Sequence, residues 1–269
     1  MSDPEFFEPV RPGVHVPRGA TFIIPAGALQ IIVDDEGGRS MEVKHVEAAV
    51  QTWPDWLEIA FARFADVRDA RRRLLEARGS GTAEGAALAD EFQAALQTIS
   101  AAVFALDAFY GVISGMVPLS DAVKEARRRS RAGRAVWVAD AIGRAARMPN
   151  EVRKLMTKSV HTAYVLRNGA VHPRHSAEPY AVHLGLNQAV PHFYARYALE
   201  TSHGAVGWAT EAIMWVVDRP QPRNRAVNDF AGNASDLLHG VVDKHLTARP
   251  GATVGPRPPR TEGGPPTGP

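Results

Sequence analysis

The chain has 269 residues, a formal net charge of +2 and no cysteine. A hydrophobic content of 45% with 22% charged residues is globular composition, so the chain is neither disordered throughout nor fibrous. Without a thiol, disulfides, cysteine nucleophiles and cysteine-ligated zinc are excluded, and so small a net charge does not by itself mark a nucleic-acid binder.

Met1 to Phe7 is acidic and broken by Pro4, unlike a secretory signal. No run approaches the ~18 uninterrupted apolar residues of a membrane helix. The expectation is a cytoplasmic protein with no membrane contact. Residues 1–84 read as an N-terminal segment with a small β element and one helix. The β-branched runs Thr21–Ile24 and Leu29–Val33, separated by Pro25-Ala26-Gly27-Ala28, suggest a hairpin. Gly37-Gly38 marks a turn. Trp53-Pro54 opens a helix, because proline is tolerated in the first turn. Trp56, Ile59, Ala60, Phe64 and Val67 recur along it at helical spacing, and Gly79-Ser80-Gly81 breaks it.

Residues 85–246 read as a mainly α, antiparallel helical bundle. Leu88, Phe92, Leu96, Ile99, Val103, Leu106, Phe109 or Tyr110, and Ile113 form an apolar stripe. Asp107 interrupts that stripe, either as a partner for an arginine such as Arg167 or as a solvent-facing acid. Ser120 and Asp121 can cap a second helix, expected to run through an arginine cluster and Val136–Ala146 to Pro149. Asn150 can cap a third, with Val152, Leu155, Met156, Val160 and Ala163 on one side. Residues 174–191 lack a steady period and read as a loop. One helix is expected from Pro191 to Asp218, and a last one over 224–246, with Phe230, Leu237, Leu238 and Val241 inward. Trp56, Trp137, Trp208 and Trp215 are expected in the core. Residues 247–269 hold seven Pro and five Gly and are expected to be disordered.

Between Ser120 and Lys158 stand eleven Lys or Arg and only four acids. Arg127, Arg128, Arg129, Arg131, Arg134, Lys154 and Lys158 are the candidate nucleic-acid-binding residues, since clustered cations attract a polyanion. A solvated helix face with pairs such as Glu125 and Arg129 at i,i+4 is the competing reading. Just beyond lies Arg167-Asn168-Gly169-Ala170-Val171-His172, followed by Pro173. Proline pushes His172 out of the α region, so the helix should end there. On a straight helix five residues turn about 140°, so Arg167 and His172 would not share a face, and loosening the turn at Gly169–Val171 would let them converge. Arginine holds phosphate oxygens bidentately, and histidine titrates near neutrality.

This hexapeptide resembles the motif of the HEPN superfamily (higher eukaryotes and prokaryotes nucleotide-binding), an Arg, a polar residue and, after a short gap, a His at a helix end. The resemblance covers about 85–218. It implies a helical bundle that dimerises to bring two motifs together, and metal-independent endoribonuclease activity, with no cofactor. His172 would be general acid or base, Arg167 would stabilise phosphate charge, and Asn168 would orient one of these groups; these three are the candidate catalytic residues. It also implies an RNA substrate, a homodimer, and a toxin or phage-defence role with an antitoxin or other regulatory protein. The alternative within the family is a non-catalytic interaction or nucleotide-binding protein. No tyrosine closely follows the motif, Tyr180 being eight residues on, which departs from the subgroup controlled through such a residue. His172-x-x-His175, with His161, His183, His192 and His203, offers no His-Glu-x-x-His and no clear third ligand, so no metal site is expected.

Overall fold

A computed structural model describes residues 20–23, 29–33, 39–43, 47–171 and 179–247. The chain is mainly helical. Its N-terminal strands are β1 (Ala20–Ile23), β2 (Leu29–Val33), β3 (Arg39–Val43) and β4 (Glu47–Val50). β1 pairs with β4 and β2 with β3, both antiparallel. The antiparallel pair is therefore β2 with β3, not β1 with β2 as the strand spacing suggested; Gly37 and Gly38 lie outside the described residues. The tail expected to be disordered lies outside the described residues, apart from Thr247.

α1 (Trp53–Glu76) and α2 (Thr82–Ile113) run antiparallel along each other. Trp53 meets Phe109 edge-on, Trp56 tilts against Phe104, and Arg71 reaches Glu91, so partner numbers fall on α2 as they rise on α1. α1 buries Trp53, Leu57, Ala60, Phe64 and Val67, one residue in three or four. Ile59, expected on that stripe, is exposed. The α1 residues share one apolar core with α2, so the boundary at residue 84 divides chain segments and not cores.

α2 is the central helix. It is long and apolar enough to cross a bilayer by length and composition, yet α1 and the helices Arg134–Ala145, Asn150–Val171 and Leu199–Asp218 all pack on it. Its fully buried residues include Ala95, Ala102, Ala105, Ile99, Val103 and Leu106. Small residues on several sides let neighbouring helices approach, which a single stripe does not describe.

α3 (Asp121–Arg129) and α4 (Arg134–Ala145) replace the one helix expected there. Ser120 Oγ caps α3 by accepting the Val123 N–H. Arg131 adopts a left-handed φ of 50° before Gly133, which ends α3 and redirects the chain. α5 (Asn150–Val171) follows. Leu155, expected inward, is 65% exposed, whereas Met156, Val160 and Ala163 are buried.

The region read as a loop holds β5 (Tyr180–His183) and β6 (Gln188–Pro191), an antiparallel hairpin. Its strands are short, and Tyr180 and Val182 face outward, so the alternation gives no core signal. α6 (His192–Arg196) and α7 (Leu199–Asp218) are separated at Tyr197-Ala198, and α8 (Arg225–Thr247) closes the bundle. Asn224 Oδ1 accepts the Val227 N–H at its start. Among the tryptophans, Trp53 is fully buried, while Trp56, Trp137, Trp208 and Trp215 are half-buried. Trp56, Trp208 and Trp215 pack against the core as expected, and Arg127 stacks on Trp137 and Arg219 on Trp215.

Candidate functional site

Asp107 on α2, Arg134 at the start of α4, and Tyr164, Arg167 and Asn168 on α5 line one pocket of about 340 Å³. His161, Val136 and Val165 complete its wall. The volume is at the lower end of the ~300–1,000 Å³ of small-ligand sites.

Three α2 residues at intervals of three, Phe104, Asp107 and Tyr110, present one helix face to this pocket's cations. Arg134 donates its Nε to Asp107 Oδ1 at 2.7 Å, and its guanidinium lies 4.2 Å from the Tyr110 ring centre. Tyr164 donates its hydroxyl to the same Asp107 oxygen, also at 2.7 Å. The Arg167 guanidinium lies 5.2 Å from the Phe104 ring centre and donates an Nη1 hydrogen to Asn168 Oδ1 at 3.0 Å. Among the described residues the buried Nε of Arg167 has no hydrogen-bond partner. Burial opposes the charge of Arg134, but the bond and charge of Asp107 outweigh it and raise its pKa. Burial and then Asp107 push the Tyr164 hydroxyl well above its ordinary value, so it remains a proton donor to that carboxylate.

The helix bearing the motif does not loosen where expected. α5 stays helical through Gly169 to Val171. Gly169 serves another end: a Cβ there would lie 2.7 Å from the Tyr197 hydroxyl, which donates to the Leu166 carbonyl. His172 and His175 lie outside the described residues. Arg167 and Asn168 are therefore brought together, and Asp107 is partnered by Arg134 and not by Arg167.

The basic residues divide by role. Arg127 pairs with Asp140 at 3.0 Å and stacks on Trp137, a structural engagement. Arg128 and Arg129 are exposed around Glu125, as the solvated-face reading has it. Lys154 pairs with exposed Glu151, while Arg131 and Lys158 are exposed. Arg134 alone of the seven lines the pocket. Sequence reasoning missed Phe104, Tyr110, Tyr164 and His161; the signal was the lone acid Asp107 with aromatic residues three positions to either side.

A second polar cluster lies inside the fold. Arg71 donates to Glu91 and to Glu200, and His183 Nε2 lies 3.5 Å from Glu91. Glu91 also accepts the Leu199 N–H at the start of α7. Among the described residues no group of three or more His, Asp and Glu is arranged to hold a metal ion.

No protein-family model matches the chain, and neither a curated protein nor a solved structure is significantly similar to it.

Proposed function

We propose that this chain is a metal-independent endoribonuclease of HEPN type, working as a homodimer on RNA. The observation that carries the reading is the pairing of Arg167 with Asn168 at the end of a 22-residue helix, on the wall of a cavity. A guanidinium with uncommitted donors in such a place suits a phosphate.

In the proposed reaction the RNA 2′-oxygen attacks the neighbouring phosphorus and the P–O5′ bond breaks. A 2′,3′-cyclic phosphate and a 5′-hydroxyl result. His172 accepts the 2′-hydroxyl proton as base or delivers one to the departing O5′ as acid, with water making the other transfer, a role that suits an imidazole near neutral pH. Arg167 stabilises the charge that builds on the phosphoryl oxygens. Asn168 orients Arg167 through their shared hydrogen bond. Exposed Lys154, Lys158, Arg128, Arg129 and Arg131 attract the RNA backbone in a salt-dependent manner. The setting that the motif implies is a toxin or phage-defence effector restrained by a regulatory protein.

The test is cleavage in EDTA of three oligonucleotides of one sequence: RNA, its 2′-O-methyl form and DNA. Only the RNA should be cut, with cyclic-phosphate ends. Equal cutting of the 2′-O-methyl strand contradicts the mechanism.

A further inference from the structure

Arg134 is the one of the seven candidate cations that lines the pocket. It is the first residue of α4, and its side chain is half exposed. Asp107 takes its Nε, and the Tyr110 ring lies against its guanidinium. Among the described residues its ion pair with Asp107 is made through Nε, and beyond that carboxylate its guanidinium has the Tyr164 hydroxyl as its polar neighbour. Salt bridges made through Nε leave the Nη fork of a guanidinium available, and that fork matches two phosphate oxygens.

The charge around it fits an anion. Among the described residues Asp107 is the one acid lining the pocket, against the cations Arg134 and Arg167. Its Oδ1 is already occupied by Arg134 and by the Tyr164 hydroxyl. Phe104 beneath Arg167 and Tyr110 beneath Arg134 limit where each guanidinium can move. Little side-chain entropy then remains to be lost on binding. The apolar wall of Val136 and Val165 suits the sugar or base beside a phosphate, and does not suit a free metal ion.

We infer that Arg134 is a second phosphate-binding residue of this pocket, gripping one phosphate of a nucleic-acid strand together with Arg167, and that Asp107 is the residue that positions it. The phosphate-binding claim stands on the pocket; its identification with the scissile RNA linkage rests on the ribonuclease reading above.

The experiment is equilibrium binding of a short fluorescent 2′-O-methyl RNA, which the proposed reaction leaves intact. It compares wild type, Arg134→Gln, Arg134→Lys, Asp107→Ala, the double variant Arg134→Gln/Asp107→Ala, and the control Arg72→Gln, with cleavage of unmodified RNA measured in parallel. Arg134→Gln should weaken binding about tenfold to a hundredfold, the worth of lost charge-assisted hydrogen bonds. Arg134→Lys keeps the charge without the fork and should recover part of that loss. Arg72→Gln should change binding about twofold or less, as expected of an exposed charge on α1 outside the pocket. Asp107→Ala should weaken wild type and add nothing in the Arg134→Gln background, a non-additivity that a merely structural acid would not produce. Binding by Arg134→Gln equal to wild type overturns the inference even if RNA is still cut. Loss of binding in Arg134→Gln with no cleavage by any protein upholds the phosphate site and removes the ribonuclease reading. Full additivity of Asp107→Ala overturns its positioning role, and if wild type does not bind the strand, the whole inference is overturned.

Discussion

The hydroxyl of Tyr197 stands 2.7 Å from the point that a Cβ on Gly169 would occupy. Tyr197 is fully buried and donates to the Leu166 carbonyl, so it cannot simply swing aside. Gly169→Ala should destabilise the protein by about 1–3 kcal/mol, the usual cost of overpacking. Tyr197→Phe removes the obstructing oxygen at a cost of about 1 kcal/mol for its hydrogen bond. The double variant should therefore be more stable than the two separate losses imply. Urea unfolding of the four proteins measures this. Strict additivity would mean that the two residues do not meet.

Arg71 ties α1 to Glu91 on α2 and Glu200 on α7. Glu91 is 1% exposed, so removing its cation leaves a buried charge. Arg71→Met should cost about 3–5 kcal/mol, read from the denaturant midpoint at neutral pH.

The same cluster predicts acid sensitivity. Burial pushes the Glu91 carboxyl up, but the bonds from His183 and Arg71, the Arg71 charge and the Leu199 N–H outweigh it and hold it below its ordinary value. A carboxylate lowered on folding contributes stability that is complete above the unfolded pKa and is lost as pH falls through the folded one. Wild type should therefore lose stability as the pH drops below about 4.5, near the unfolded glutamate value. Glu91→Gln should be less stable at neutral pH and show a flatter acid limb. Parallel acid limbs in the two proteins would count against this assignment.

Gly185, in the turn between β5 and β6, lies so close to the Arg71 guanidinium that a Cβ would stand 2.6 Å from it. Glu91 and Glu200 pin that guanidinium from other sides. Gly185→Ala should undock the β5–β6 hairpin, which otherwise seats Leu186 and Val190 against Leu74 and Ala87. Amide exchange at residues 186–190 should accelerate while α2 keeps its protection. Unchanged exchange in the hairpin is the contrary result.

The helices were legible because their apolar periods are local. Val160, Ala163, Leu106 and Ile113 are buried where spacing placed them. The failures came from long-range effects. Leu155 looks inward by period, yet it is largely exposed. The α3–α4 break depends on one left-handed residue, Arg131, which no composition rule signals. Strands β5 and β6 owe their place to His183 and Leu186 docking on distant helices. At the candidate site, Arg167 and Asn168 were legible as a motif, and Asp107 as an anomaly in an apolar run. That Arg134 is the partner of Asp107 depends on how α4 lies across α2, a tertiary fact invisible in spacing. The role of Gly169 was likewise misread as backbone freedom, when close approach of a tyrosine from beyond the hairpin requires it.

The central claim is that Arg167 and His172 perform RNA cleavage together. Single-turnover cleavage of RNA in EDTA by wild type, Arg167→Ala and His172→Ala, each confirmed folded by its melting curve, tests it most directly. Both variants should fall by at least about a hundredfold, in line with loss of a general acid–base or of transition-state charge stabilisation. Cleavage at the wild-type rate in either variant would contradict the account.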